Sequence, residues 1–230
     1  MDNVITAADH AESLAKSFVT RVGNLEAQVA ERRTQAEDRA ARYGELSGAQ
    51  DAGVRSVVRQ ATRDAATREL ADFRSSLATT TEAERVGRLK ALAKMESEAN
   101  ELAPMFESPV QLLSRQGLGS AERSRYTLQL ATAGPRELQN YAAFARHKRD
   151  KILAAAVVAR LDTLPRDERP FKAVEFAQSM VGDEFDATRK AFERIKAATQ
   201  SAINANRSFE RGRVDSTSKI SMGLAKRTVS

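Results

Sequence analysis

Apolar residues recur along this chain at helical spacing, and the strict apolar–polar alternation of a half-buried strand is found nowhere. Over residues 6–43 one series runs by sevens through Ala15, Val22, Val29, Ala36 and Tyr43. A second, Ala11, Phe18 and Leu25, fails at Arg32 and Arg39. The pair describes a coiled-coil seam that decays into a half-exposed helix. Gly44 and Gly48 are expected to end it, as glycine does just past a helix.

A second helix is expected over 49–77, with Val54, Val58, Ala61 and Ala65 inward, then Ala66, Leu70, Phe73 and Leu77. The step from Ala65 to Ala66 moves the stripe by one position, which rotates the buried face or bends the pairing. Thr79, Thr80 and Thr81, followed by Glu82 and Glu84, read as the cap and acidic first turn of a third helix. That helix turns Val86, Leu89, Leu92, Met95, Ala99 and Leu102 inward and stops before Pro104.

Between Pro104 and Pro135 glycine and proline become frequent, and the pattern breaks into short elements. Ser108 caps a brief helix over 110–113, and Ser120 caps another that ends near Ala133. Pro135 sits at the first position of a helix expected to run through Leu164. Its residues 152–161 are apolar nearly all round, so this helix should be the most buried. Pro165 to Pro170 is a charged connector. Pro170 opens a short helix with Phe171, Val174, Ala177 and Val181 inward, ended by Gly182. The last helix, 183–211, carries two series seven apart: Phe185, Phe192, Thr199, Asn206, and Thr188, Ile195, Ala202, Phe209. The core is expected at Leu138, Tyr141, Ile152, Leu153, Val157, Leu161, Phe171, Val174 and Phe192.

The fold class is therefore all-α with no sheet: long amphipathic helices over 1–103, a more compact helical bundle over 104–212, and a basic Ser/Thr-rich tail over 213–230. Composition agrees, since Ala, Leu, Arg and Glu favour helix. The net charge is +6, and after residue 200 six cations face only Glu210 and Asp215. A basic arm on a nearly neutral body suits an acidic neighbour or solubility alone. The start, Met1-Asp2-Asn3-Val4-Ile5, lacks the shape of a secretory signal. The longest apolar run, residues 152–159, falls short of the roughly 20 residues that span a bilayer. The chain is expected to be soluble and made in a cytoplasm.

With no Cys there is no disulfide, thiolate metal site or Cys nucleophile. His10 is expected in solvent. His147 sits among Arg146, Lys148, Arg149 and Lys151, with no acid or nucleophile placed beside it by spacing. Residues 116–120 hold two glycines without the third of a phosphate-binding fingerprint, so a plain turn is expected. Glu96, Glu98 and Glu101 read as a solvated face, and Asp183, Glu184 and Asp186 as favourable charge at a helix start. No cofactor, metal or catalytic residue is assigned, and the chain is not expected to be an enzyme.

The cations are the remaining signal. Arg55, Arg59 and Arg63 recur every fourth residue and suit a phosphate backbone, or pairing with Asp51, Asp64 or Glu69 on the same helix. Arg146, Lys148, Arg149 and Lys151 form a denser cluster, and the tail adds Arg213, Lys219, Lys226 and Arg227. The expected subunit anchors are Val214, Ile220, Met222 and Leu224.

The Ala/Arg-rich helices, with Ser108-Pro-Val-Gln-Leu-Leu113, Leu118-Gly-Ser-Ala-Glu-Arg123 and Lys219-Ile-Ser-Met-Gly-Leu224, resemble small helical virion proteins of tailed bacteriophages, of the internal, ejection or connector type. The resemblance implies a multi-copy structural protein that packs as a homo-oligomer and against other virion proteins. The alternative from the basic rows is a cytoplasmic nucleic-acid-binding coiled-coil protein.

Overall fold

The computed structural model describes residues 2–46 and 52–212. Among them the chain is all α, with no strand. The helices are α1 (Asp2–Leu46), α2 (Ala52–Leu102), α3 (Pro109–Ser114), α4 (Ala121–Leu130), α5 (Pro135–Lys148), α6 (Lys151–Thr163) and α7 (Ala173–Arg211). Long helices α1, α2 and α7 accompany the shorter ones, as the periodicity predicts. The chain packs as two compact units, and α1, α2 and α7 contribute to both. The sequence places its soft boundary near Pro104, whereas the packing divides α2 between Lys94 and Met95.

One unit comprises Met95–Ile195 with the first turns of α1, to Asp9. Its centre is α6, on which α3, α4 and α5 all pack. Leu153, Ala154, Ala155, Ala156, Val157, Val158 and Leu161 are buried there. The start of α7 adds Phe176, Ala177 and Val181 to the same core. Leu138, Leu153, Val157 and Leu161 are buried as expected, while Tyr141 and Phe171 are partly buried against the core. Ile152 is partly buried; a Cβ on Gly117, where φ is +67°, would fall 2.9 Å from its Cγ2. Phe192 is partly buried with its ring 6.0 Å from that of Phe106. Val174 departs from expectation at 59% exposed. The helix starts only at Ala173, and Phe171 folds back on the Phe176 ring at 5.3 Å, so Phe176 sets the inward phase instead.

Ser108 and Ser120 cap α3 and α4 as the sequence indicates, accepting from the N–H of Gln111 at 3.2 Å and of Arg123 at 3.1 Å. The helix expected to run unbroken from Pro135 to Leu164 is two helices. Arg149 adopts a left-handed φ of 53°, and the Asp150 N–H returns to the Ala145 carbonyl at 3.0 Å. Asp150 then accepts the Leu153 N–H at 2.8 Å and caps α6. A side chain that caps a new helix offers the backbone an alternative to continuing the old one.

The other unit comprises His10–Lys94 and α7 from Lys196 onward. Here α2 runs antiparallel to both α1 and α7, since Arg21 meets Glu84, Arg32 meets Glu69, and Thr199 meets Leu92. The α1 seam is buried at Ala11, Ala15, Phe18, Val22, Leu25, Val29 and Ala36. Tyr43, expected inside, is 62% exposed. The α7 seam buries Thr188, Ile195, Thr199, Ala202 and Phe209 along its length.

Three expected breaks are absent. The second and third expected helices are one, α2, uninterrupted at the threonines. Thr79, Thr80 and Thr81 donate their hydroxyls to the carbonyls of Ser75 at 3.0 Å, Ser76 at 3.0 Å and Leu77 at 2.7 Å. Bonded back one turn, they decorate a helix rather than start one. The expected stripe slip is also absent: Val58, Thr62, Ala66, Leu70, Phe73 and Leu77 are partly buried in one sweep, with Ala61, Ala65 and Val54 exposed. Val86 and Leu102 are exposed too, whereas Leu92 and Ala99 are buried. Likewise α7 passes straight through Gly182, which is buried. Glycine inside a helix costs only about 1 kcal/mol against Ala, which the packing of Phe176, Val181 and Phe185 outweighs. The expected end of α1 at Gly44 is likewise passed, the helix reaching Leu46; Gly48 lies outside the described residues.

Candidate functional site

The α1 series that fails at Arg32 and Arg39 does so for a reason that lies on another helix. Both guanidinium groups reach Glu69 Oε1 of α2 at 2.7 Å, and Arg32 also lies over the Phe73 ring at 5.8 Å. The apolar seam gives way to an ionic one. The Arg39 hydrogen bond, helped by the charges of Arg39 and Arg32, holds the Glu69 carboxyl below its ordinary 4.5 against an opposing desolvation.

Glu69 is thereby committed to α1 and does not serve the arginine row of α2. Asp64 accepts from Gln60 Nε2 at 2.9 Å, and Asp51 lies outside the described residues. Arg59 and Arg63 have no ion-pair partner among the described residues. Both are exposed, and with Arg33 of α1 they line a groove of about 690 Å³ between α1 and α2. Its floor includes Ala36, Ala40, Ala66 and Leu70. Arg55 is exposed one turn earlier, on the same helix. On the other side of the same stretch of α2, Val54 and Val57 are 49% and 67% exposed. The sequence gives the row itself; which of its members find a partner is decided by the fold.

Further along α2 the cations are engaged. Arg85 is only 4% exposed. It donates to the Thr81 hydroxyl at 3.1 Å, the Ala78 carbonyl at 3.0 Å, the Asn206 amide oxygen, and Glu210 at 3.1 Å. Its guanidinium also lies 5.1 Å over the Phe209 ring. Arg74 Nε donates to the Phe209 carbonyl at 3.1 Å and lies 5.8 Å from the same ring. Sequence reasoning passed over both residues, because their partners lie more than a hundred positions away.

The cluster Arg146, Lys148, Arg149 and Lys151 has mostly local duties. Arg146 and Lys148 lie in the last turn of α5, where cations offset the helix dipole. Arg146 donates to the Ser179 hydroxyl at 3.1 Å and covers the Phe176 ring at 5.1 Å. Arg149 supplies the left-handed stop, and Lys151 pairs with Glu184. A shallow cavity of about 390 Å³ lies among Arg146, Arg149, Lys151, Ser179 and Glu184. Asp183, Glu184 and Asp186, expected at a helix start, lie inside α7. His147 is exposed at the end of α5, and His10 is exposed on α1.

Glu96 is partly buried, and Glu98 and Glu101 are exposed. Among the described residues no group of three His, Asp or Glu side chains could hold a metal ion, and no helix is long and apolar enough to cross a membrane. Arg213, Lys219, Lys226, Arg227, Val214, Ile220, Met222 and Leu224 lie outside the described residues. Comparison with protein-family models, curated proteins and solved structures found no match to this chain.

Proposed function

We propose that this chain is a non-enzymatic assembly protein, a multi-copy virion component of a tailed bacteriophage, acting by helix-to-helix contact with neighbouring proteins. The observation that carries the assembly reading is the uncovered first third of α2. There Val54 and Val57 stand in solvent on one side of the helix and Arg59 and Arg63 on the other, while the later part of the same helix is covered by α7. A stretch of helix that leaves both apolar side chains and unpaired cations exposed favours a protein contact. The virion assignment is supported by the resemblance of the Ala/Arg-rich helices and the motifs starting at Ser108 and Leu118. The unpaired arginines also support the second reading, a nucleic-acid-binding coiled-coil protein.

The test is quantitative mass spectrometry of gradient-purified particles from the source of this chain. The expected result is a fixed ratio to the major shell protein. Recovery only outside particles overturns the virion reading. Duplex binding that falls steeply with salt would favour the second.

A further inference from the structure

Arg63, Arg74 and Arg85 are spaced by eleven residues. Eleven residues make three helical turns, so the three side chains leave α2 on nearly the same side. Two of the three grip α7: Arg85 through Asn206, Glu210 and the Phe209 ring, Arg74 through the Phe209 carbonyl and ring. The helix then stops beside Arg74. Gly212 takes a φ of +69°, its N–H returns to the Phe209 carbonyl at 3.3 Å, and a Cβ there would fall 2.5 Å from the Arg74 guanidinium. One step further along the row, Arg63 opens onto the α1–α2 groove. From Leu70 to Arg59 that groove follows α2 for about 16 Å, or three turns. The alanines of its floor leave room for a backbone to approach.

We propose that this groove is a vacant third-helix slot, and that its occupant is an acidic amphipathic helix of a partner protein docking in line with α7. The proposal rests on the assembly reading above and names the chemistry of one partner. Charge selects the occupant. Arg33, Arg59 and Arg63 line the slot against one acid, Glu37, which Arg33 itself approaches at 3.9 Å. The chain's own tail carries Arg213, Lys219, Lys226 and Arg227 against Asp215 and is repelled. The helix end that this arginine row already holds, α7 of the same chain, has its Phe209 fully buried, and a second copy with the same +6 charge is disfavoured. A nucleic-acid backbone would meet the arginines but leave the half-buried Ala40, Ala66 and Leu70 uncovered. A helix with Asn, Phe and Glu spaced as Asn206, Phe209 and Glu210 meets both.

The probe is a fluorescent helical peptide of about four turns, with Asn, Phe and Glu at that spacing, compared with the same peptide carrying Lys for every Glu. Titrated with the full-length chain, the acidic peptide is expected to bind about tenfold tighter or more, with the preference weakening as salt rises. Arg59→Glu with Arg63→Glu should abolish the preference, and the milder Arg59→Gln with Arg63→Gln should weaken it, at unchanged helix content by circular dichroism. Equal binding of the two peptides overturns the proposal. Binding only after residues 213–230 are removed gives the slot to the tail and also overturns it. Displacement of the peptide by self-association or by a short DNA duplex overturns it in favour of those occupants. Peptide binding by a chain absent from particles would remove the virion role and leave the slot; particle incorporation without peptide binding would do the reverse.

Discussion

Arg85 is accommodated in a buried position because each nitrogen of its guanidinium finds an acceptor and one face finds a ring. A planar fork with fixed donors does this; an ammonium on a flexible stem does not. Arg85→Lys should therefore cost about 2 kcal/mol by urea unfolding. Glu210→Gln should cost under about 1 kcal/mol, because that carboxylate is 51% exposed and water replaces what it loses. Near-equal costs would mean that charge pairing, not the fork, matters here.

Glu69 gives a pH prediction with a definite sign. Its folded pKa is depressed by Arg39 and Arg32, so its contribution is present above the ordinary 4.5 and is lost as pH falls through the folded value. The native chain should lose more stability between about pH 5 and pH 2 than Glu69→Gln does. Parallel acid limbs in unfolding against pH would contradict it. Read in sequence, Arg32 and Arg39 are where a seam fails. Read in space, they are where it becomes ionic.

The helices show how weak a local signal can be when packing opposes it. Threonines with acids after them, or a glycine among polar residues, each look like a boundary. In α2 and α7 neither is one. Gly182→Ala should stabilise α7 by about 0.5–1 kcal/mol. The three atoms nearest the new Cβ all belong to the side chain of Gln178, the closest Nε2 at 2.6 Å, and Gln178 is exposed and free to turn away. A drop in the melting temperature would show that the close approach matters more than helix propensity. The break between α5 and α6 is the opposite case. Asp150→Ala removes both the Leu153 N–H bond and the acceptor of the Tyr126 hydroxyl at 2.9 Å. It should cost about 1–2 kcal/mol, read as a lower urea midpoint at unchanged slope.

For the chain as a whole, the tail remains the element whose role is argued from composition. Removing residues 213–230 should leave helix content by circular dichroism nearly unchanged, because the α7 seam closes at Phe209. Incorporation into particles should fall. Normal incorporation would take the tail out of the assembly role.

Some of this architecture was legible in residue order because the cause is local. Periodic apolar positions make helices amphipathic, so the all-α class, the burial of α6 and the series Thr188, Ile195, Ala202, Phe209 could be read directly. So could the caps at Ser108 and Ser120, whose partners lie three residues away. Continuity of α2 and α7 was decided by tertiary packing, because a weak breaker costs about 1 kcal/mol and burial of a large side chain is worth more. The state of the arginines was decided there too. Glu69 stands 30 positions from Arg39, and Glu210 stands 125 from Arg85. No spacing rule reaches that far, so only the folded chain determines that Arg85 is bound, that Glu69 is spent on α1, and that Arg59 and Arg63 are left facing an open groove.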